Sequence, residues 1–228
     1  DNGPGHGHIS SRLFADGSWA RYEYDQQGRR VKTITPWLDG GPGSSESESR
    51  VVVNGYIPLR GDSGEERNRH RPRTVTVLIS GIIVEKTVHH YRLTSDGSRV
   101  DTVERCIRQD CGFGDEDNLR SITTYYPESK MSSSGRIKSQ QNPDGSLTSY
   151  RYESGTFRAE SDPANSIFTS GEGKALRVTT MKGSVEHPDG IAFKTTRETA
   201  ITDWLGNRVM EERFVKTDKG FERIDWSF

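Results

Sequence analysis

The stretch Ser11–Arg29, SRLFADGSWARYEYDQQGR, decides how the rest of the chain is read. Asp16-Gly17 stands between two extended segments. That pair favours a tight hairpin, because both central positions of a type I′ turn need positive φ. The residues that follow, Ser18–Asp25, alternate in character. Side chains of a strand point to opposite faces in turn, so Ala20, Tyr22 and Tyr24 share one face while Trp19, Arg21, Glu23 and Asp25 share the other. One aromatic and one amphipathic face is the pattern of a half-buried antiparallel strand. Gln26-Gln27-Gly28 makes a second turn, and Arg29–Thr35 reads as the returning strand.

Two later windows align with the first without a gap. Ser11–Asp25 (SRLFADGSWARYEYD), Ser139–Glu153 (SQQNPDGSLTSYRYE) and Ser184–Glu198 (SVEHPDGIAFKTTRE) all carry Asp-Gly at one offset and end on an acid. The pairs are Asp16-Gly17, Asp144-Gly145 and Asp189-Gly190. Tyr22/Tyr24 recur as Tyr150/Tyr152; in the third window Thr195 and Arg197 replace them, with Ile191 and Phe193 keeping that face partly apolar. Recurrence at fixed internal offsets marks stacked supersecondary units. The irregular spacing of the windows points to a degenerate hairpin array with insertions.

Tyr22-Glu23-Tyr24-Asp25-Gln26-Gln27-Gly28-Arg29 resembles the Y-x-Y-D-x-x-G-R core of YD repeats, found in RHS proteins, teneurins and the shell components of bacterial toxin complexes. Later copies are weaker. Tyr150-Arg151-Tyr152-Glu153 keeps the aromatics and the acid, but Ser154-Gly155-Thr156 misplaces the glycine. Asp203-Trp204-Leu205-Gly206-Asn207-Arg208 restores D-x-x-G with an arginine soon after. The resemblance implies a strip of β-hairpins that coils into a hollow shell, enclosing a C-terminal effector or presenting an adhesive surface. It also implies a secreted or cell-surface bacterial protein. The segment in which that family places self-cleavage chemistry has no recognisable counterpart here.

Composition agrees with a wet sheet. Hydrophobic residues make up 30% and charged residues 29%, and mean hydropathy is −0.83, which is poor for a compact two-layer core. Alternating Val, Ile and Tyr argue against disorder. A net charge of −1 gives no global field toward nucleic acid or membrane. No apolar run approaches the ~18 residues of a membrane helix. No basic start leads into an apolar stretch, and Asp1 stands without an initiator Met, so a fragment of a longer chain is expected.

Pro36–Ser49 reads as a loop, Arg50–Pro58 as a short strand with an Asn54-Gly55 turn, and Gly61–Arg73 as an exposed charged loop. Residues 39–73 thus form a loop-rich insertion within one 228-residue repeat segment. The basic half of the charged loop (Arg67, Arg69, His70, Arg71, Arg73) invites phosphate or an acidic glycan, against a plain solvated loop beside Glu65 and Glu66. Thr74–Leu93 is the most apolar stretch and reads as two strands meeting at Ser80-Gly81, or one strand bent there. Asp96-Gly97 closes a hairpin between Thr87–Leu93 and Arg99–Ile107. Leu119–Tyr126 and Gly135–Gln141 are further strands. Ser161–Lys174 is the one place for a helical turn, and Asp218-Lys219-Gly220 closes a last hairpin, leaving an open edge that favours pairing with another chain.

Candidate chemistry is sparse. Cys106 and Cys111 read either as a small disulfide loop or as two thiols at a turn. His6 and His8 do not fill a coordination shell. Asp110, Asp115, Glu116 and Asp117 lack the spacing of a calcium loop. His89, His90 and His187 stand in no G-x-S-x-G, H-E-x-x-H or paired-carboxylate frame, so a hydrolase ranks last. No catalytic residue, cofactor or metal is expected. The leading expectation is a structural or interaction segment. The alternative is a carbohydrate-binding module that stacks Trp19, Trp37, Trp204, Trp226 and the tyrosines on sugar faces.

Overall fold

The computed structural model describes residues 5–63, 68–129, 131–161, 165–185 and 192–227. The chain is all-β, an open antiparallel sheet of consecutive hairpins. Its elements among the described residues are fifteen strands and one 3₁₀ turn, Glu46–Glu48. They fall in two compact units, Asp1–Arg92 with Asp101–Arg120, and Leu93–Val100 with Ser121–Phe228.

The first unit runs in chain order through β1 (Ser11–Leu13), β2 (Trp19–Tyr24), β3 (Arg30–Pro36), β4 (Ser49–Gly55), β5 (Thr74–Ile79), β6 (Ile82–Leu93) and most of β7 (Arg99–Arg105). Cross-strand partners Arg21↔Ile34, Ile34↔Val51 and Val51↔Leu78 set one row across β2–β5. Trp19 lies on the same face, two residues along. Trp19, Ile34 and Val51 are buried together, with Val53 and Leu78 against them. The amphipathic face of the opening stretch is therefore the core face. The Pro36–Ser49 loop makes it so: the Trp19 indole N–H donates to the Gly40 carbonyl (2.9 Å) and Arg21 to that of Ser44 (2.7 Å). Trp19, only 3% exposed, is removed from the sugar-stacking set.

Two local expectations change, and a third reading is resolved. Asn54-Gly55 is no turn; β4 continues through it, pairing Asn54↔Val75 and Gly55↔Thr74. The Gly61–Arg73 stretch is not uniformly exposed. Arg73 is buried against the buried Asp62 carboxylate and donates to the carbonyls of Asn68 and Arg71. Arg71 pairs with Asp101, and both guanidiniums lie over the Tyr91 ring, at 4.0 and 4.8 Å. Arg67 lies outside the described residues. Ser80-Gly81 is a two-residue turn with φ of 51° and 77°, so the apolar stretch is two strands.

The second unit contains β8 (Leu119–Tyr125) from Ser121 onward, β9 (Ile137–Gln141), β10 (Ser146–Arg158), β12 (Ala175–Val185), β13 (Ala192–Thr202), β14 (Arg208–Thr217) and β15 (Gly220–Ser227) in that order, with β11 (Ile167–Ser170) off the path on β10. The segment Ser161–Lys174 holds β11; its Asp162-Pro163, on which the helical turn was expected, lies outside the described residues.

The first two sequence windows are superposable in pairing. Ser11↔Arg21, Arg12↔Ala20 and Leu13↔Trp19 correspond position for position to Ser139↔Ser149, Gln140↔Thr148 and Gln141↔Leu147. In the third, Ser184 pairs with Phe193 and Val185 with Ala192, one residue off that register, after a shift between Lys182 and Gly183. Asp189-Gly190 lies outside the described residues.

Candidate functional site

The recurring unit is a five-residue corner. In it the first residue's N–H donates to the fifth residue's carbonyl, and the N–H of a glycine at the fourth position donates back to the first carbonyl. This geometry closes Phe14–Ser18 (2.8 and 3.0 Å), Asp25–Arg29 (2.9 and 3.0 Å), Thr94–Ser98 (2.9 and 2.9 Å), Asn142–Ser146 (2.9 and 3.0 Å) and Asp203–Asn207 (2.9 and 3.1 Å). The glycines Gly17, Gly28, Gly97, Gly145 and Gly206 have φ between 73° and 87°, whereas Asp16 and Asp144 keep negative φ. The corners are thus three-residue hairpin loops with a left-handed glycine, not type I′ turns. A side chain other than glycine is strained in that region, which is why the glycine recurs.

The acid sits at one of two places. In the Asp-Gly corners it is third, and its Oδ1 accepts the N–H of the serine two residues on: Asp16 from Ser18 (3.0 Å), Asp96 from Ser98 (3.1 Å) and Asp144 from Ser146 (2.9 Å). In the Asp-x-x-Gly corners it is first. Asp25 Oδ1 accepts from the N–H groups of Gln27 and Arg29, both at 2.9 Å, and Oδ2 from Arg29 Nε at 2.7 Å. Asp203 repeats this with Leu205 and Asn207 (2.9 Å each), and the Asn207 amide takes the place of the guanidinium. The Ser18 hydroxyl and N–H hold Asp16 below the usual carboxylate range, and the Thr94 hydroxyl with Ser98 brings Asp96 down to about 2.

The aromatic part of the motif is held by cations as much as by other rings. Arg30 lies over Tyr22 (4.7 Å), and His8 stacks on Tyr24 (4.8 Å), whose hydroxyl donates to the Ile9 carbonyl. In the second copy Tyr150 and Tyr152 stack at 6.5 Å, with Tyr126 edge-on to Tyr152. There the strand does not turn after Glu153. β10 runs on, and Glu153 accepts from Arg177 Nε and Nη2 (3.0 and 2.8 Å) across to β12. Gly155 is not at a corner: a Cβ there would stand 2.2 Å from the Thr169 carbonyl of β11, which explains the misplaced glycine.

Each Asp-x-x-Gly corner borders a cleft. Beside Asp25–Arg29 is one of about 590 Å³, lined by His8, Tyr24, Arg29, Arg30, Tyr56 and His70 among others. Beside Asp203–Asn207 is one of about 510 Å³, lined by Phe157, Lys174, Asp203 and the 69%-exposed Trp204. Arg30 and Asn54 carried no functional signal in the sequence, and Tyr56 only its place among the tyrosines of the sugar-stacking set. Their relation appears only through pairing: the Arg30 carbonyl accepts from both Asn54 Nδ2 and the Tyr56 hydroxyl at 2.9 Å.

The remaining candidates make the following contacts. Cys106 and Cys111 are bonded. His90 is buried and stacks on Phe113 at 4.6 Å. His89 is pushed below the ordinary imidazole range, first by burial and then by Arg71. Asp115 accepts the Gly112 N–H, while Asp110 and Asp117 face Arg108. No group of His, Cys, Asp or Glu among the described residues is arranged to hold a metal ion. The residue that sequence reasoning passed over is Glu104. Its side chain is fully buried, and it accepts from Gly114 N–H (2.7 Å), Asn118 Nδ2 (2.9 Å) and Arg120 Nε (2.6 Å). Comparison with protein-family models and with curated proteins finds no match to the chain. Among the described residues no helix is long and apolar enough to cross a membrane.

Proposed function

We propose that the chain is a non-catalytic structural segment of an RHS/YD-repeat-type shell, secreted or displayed at a bacterial surface, that encloses or presents a further polypeptide. The observation that carries this reading is the repeated corner, with acid and glycine in the two fixed arrangements, together with the shared register of the β1–β2 and β9–β10 hairpins. Such corners let strand follow strand without crossover connections, which suits a wall rather than a layered core. Electron microscopy of the natural full-length polypeptide tests it. A hollow, strand-built wall is expected; a solid particle in which this segment packs as an ordinary globular domain would overturn it.

A second reading, a carbohydrate-binding module, draws on the cleft at the Asp203–Asn207 corner, where Trp204 is exposed beside Phe157 and Lys174. Titration with a panel of neutral glycans, followed by tryptophan fluorescence, tests it. A saturable shift that disappears in Trp204→Ala supports it, and no shift across the panel removes it.

A further inference from the structure

We propose that the cleft beside the Asp25–Arg29 corner binds a monosaccharide-sized ligand through an oxyanion, a carboxylate or a phosphate, with the Arg30 guanidinium as the principal donor. Its volume of about 590 Å³ falls among small-molecule sites, roughly 300–1,000 Å³. Its charge is one-sided. His8, Arg29, Arg30 and His70 line it, and no carboxylate among the described residues does, in a chain where 33 acids balance 32 Lys and Arg.

The nearest acid of the motif, Asp25, is already occupied by the two N–H groups of its corner and by Arg29 Nε. Other donors around the cleft are also committed. Tyr24 donates to the Ile9 carbonyl, and Asn54 and Tyr56 to that of Arg30. Arg29 lies over the Tyr56 ring at 4.5 Å and donates to the Arg69 carbonyl. Arg30 differs: it is exposed, rests on Tyr22 at 4.7 Å, and meets no carboxylate among the described residues. A planar guanidinium that rests on a ring and has no acid partner among the described residues is suited to take a carboxylate or phosphate in two-point fashion. The ring faces of Tyr24 and Tyr56 are each covered on one side by His8 and Arg29. Charge and the fork, more than stacking, therefore select the ligand.

The side chain of Arg30 is separable from the fold. It is the backbone carbonyl, not the guanidinium, that anchors Asn54 and Tyr56. Calorimetric titration of the intact chain with glucuronate, glucose 6-phosphate and glucose is the test. At least one of the two anions is expected to bind tenfold or more tightly than glucose, and which one does so identifies the oxyanion. Arg30→Gln is expected to weaken that binding at least tenfold, while Arg158→Gln, a substitution remote in sequence on β10, leaves it unchanged. Thr33→Asp, which brings a carboxylate to the cleft lining, gives a second, independent loss. Failure of both anions to bind, or equal affinity in Arg30→Gln with an unchanged circular dichroism spectrum, would overturn the proposal.

Discussion

Replacing Glu104 tests how this sheet holds a long loop with little apolar material. The fully buried carboxylate joins Gly114, Asn118 and Arg120 to β7, and so ties down the loop that the Cys106–Cys111 bond begins. In Glu104→Ala the Gly114 N–H loses its acceptor, and the Asn118 side-chain amide keeps its bond to the Gly112 carbonyl. Arg120, 46% exposed, recovers solvent. Leaving the Gly114 N–H and an Asn118 amide N–H without this acceptor costs about 2–4 kcal/mol. A chain of this length loses roughly 2–4 °C per kcal/mol, which places the fall in melting midpoint at roughly 4–16 °C. Glu104→Gln keeps the shape and one acceptor but turns an amide N–H₂ toward a donor, and is expected to cost about 2 kcal/mol. Thermal melts followed by far-UV circular dichroism, with exposed Glu172→Ala as reference, measure the global effect. Hydrogen exchange at the Gly114 amide measures the local one. If Glu104→Ala melts with Glu172→Ala and the Gly114 amide exchanges no faster, the carboxylate does not organise this loop.

Acid should loosen the corners together. Asp16, Asp25, Asp96, Asp144 and Asp203 all sit below the ordinary carboxylate range. Folded values depressed below unfolded ones mean stability that is present above about pH 4 and lost as pH falls toward 2; a carboxyl NMR titration should place Asp96 at about 2, and an ordinary midpoint there would refute the assignment of its partners. Gly145→Ala isolates the backbone term of a corner, because φ is 79° and a Cβ would meet nothing within 4 Å. It should cost about 1–2 kcal/mol by urea unfolding, with Gly145→Asn milder. Reduction of Cys106–Cys111 releases a six-residue loop and should lower stability by about 2 kcal/mol, read as a shift in urea midpoint without loss of the β spectrum.

The opening stretch was legible because its information is local. Asp16-Gly17, Asp25-x-x-Gly28 and the alternation between them need no knowledge of the rest of the chain, and the same holds for Asp144-Gly145 and Asp203-x-x-Gly206. What was not legible came from contacts distant in sequence. Which face of β2 is buried depends on Gly40 and Ser44 arriving from a loop whose composition says only that it is a loop. Arg73 reads as solvated because Arg usually is; only the register of β4, β5 and β6 brings Asp62 and the Asn68 and Arg71 carbonyls to it. Glu104 reads as one acid among 33. Arg30 follows Arg29 and looks like its duplicate, yet one closes a corner and the other lines a cleft while resting on Tyr22.

The two corner types explain why the motif is conspicuous at Asp25–Arg29 and faint elsewhere. Both satisfy the same backbone loop, and each needs only one acid and one left-handed glycine. The serine-capped form makes no further demand. The Asp-x-x-Gly form accepts two N–H groups at once and leaves Oδ2 for whatever side chain stands fifth. With asparagine there, at Asn207, the corner stays self-contained. With arginine there, at Arg29, the guanidinium satisfies Oδ2 and still spans to the Tyr56 ring and the Arg69 carbonyl, well outside its own hairpin. The fifth residue is thus the point at which an interchangeable turn becomes a tie between distant parts of the chain. Arg29→Asn therefore separates the two roles. The corner should persist, as at Asp203–Asn207, while the Tyr56 ring and the loop around Arg69 lose their common partner. Faster amide exchange near Tyr56 and Arg69, with the Gly28 amide still protected, is the expected result; loss of Gly28 protection as well would mean that the arginine is part of the turn itself.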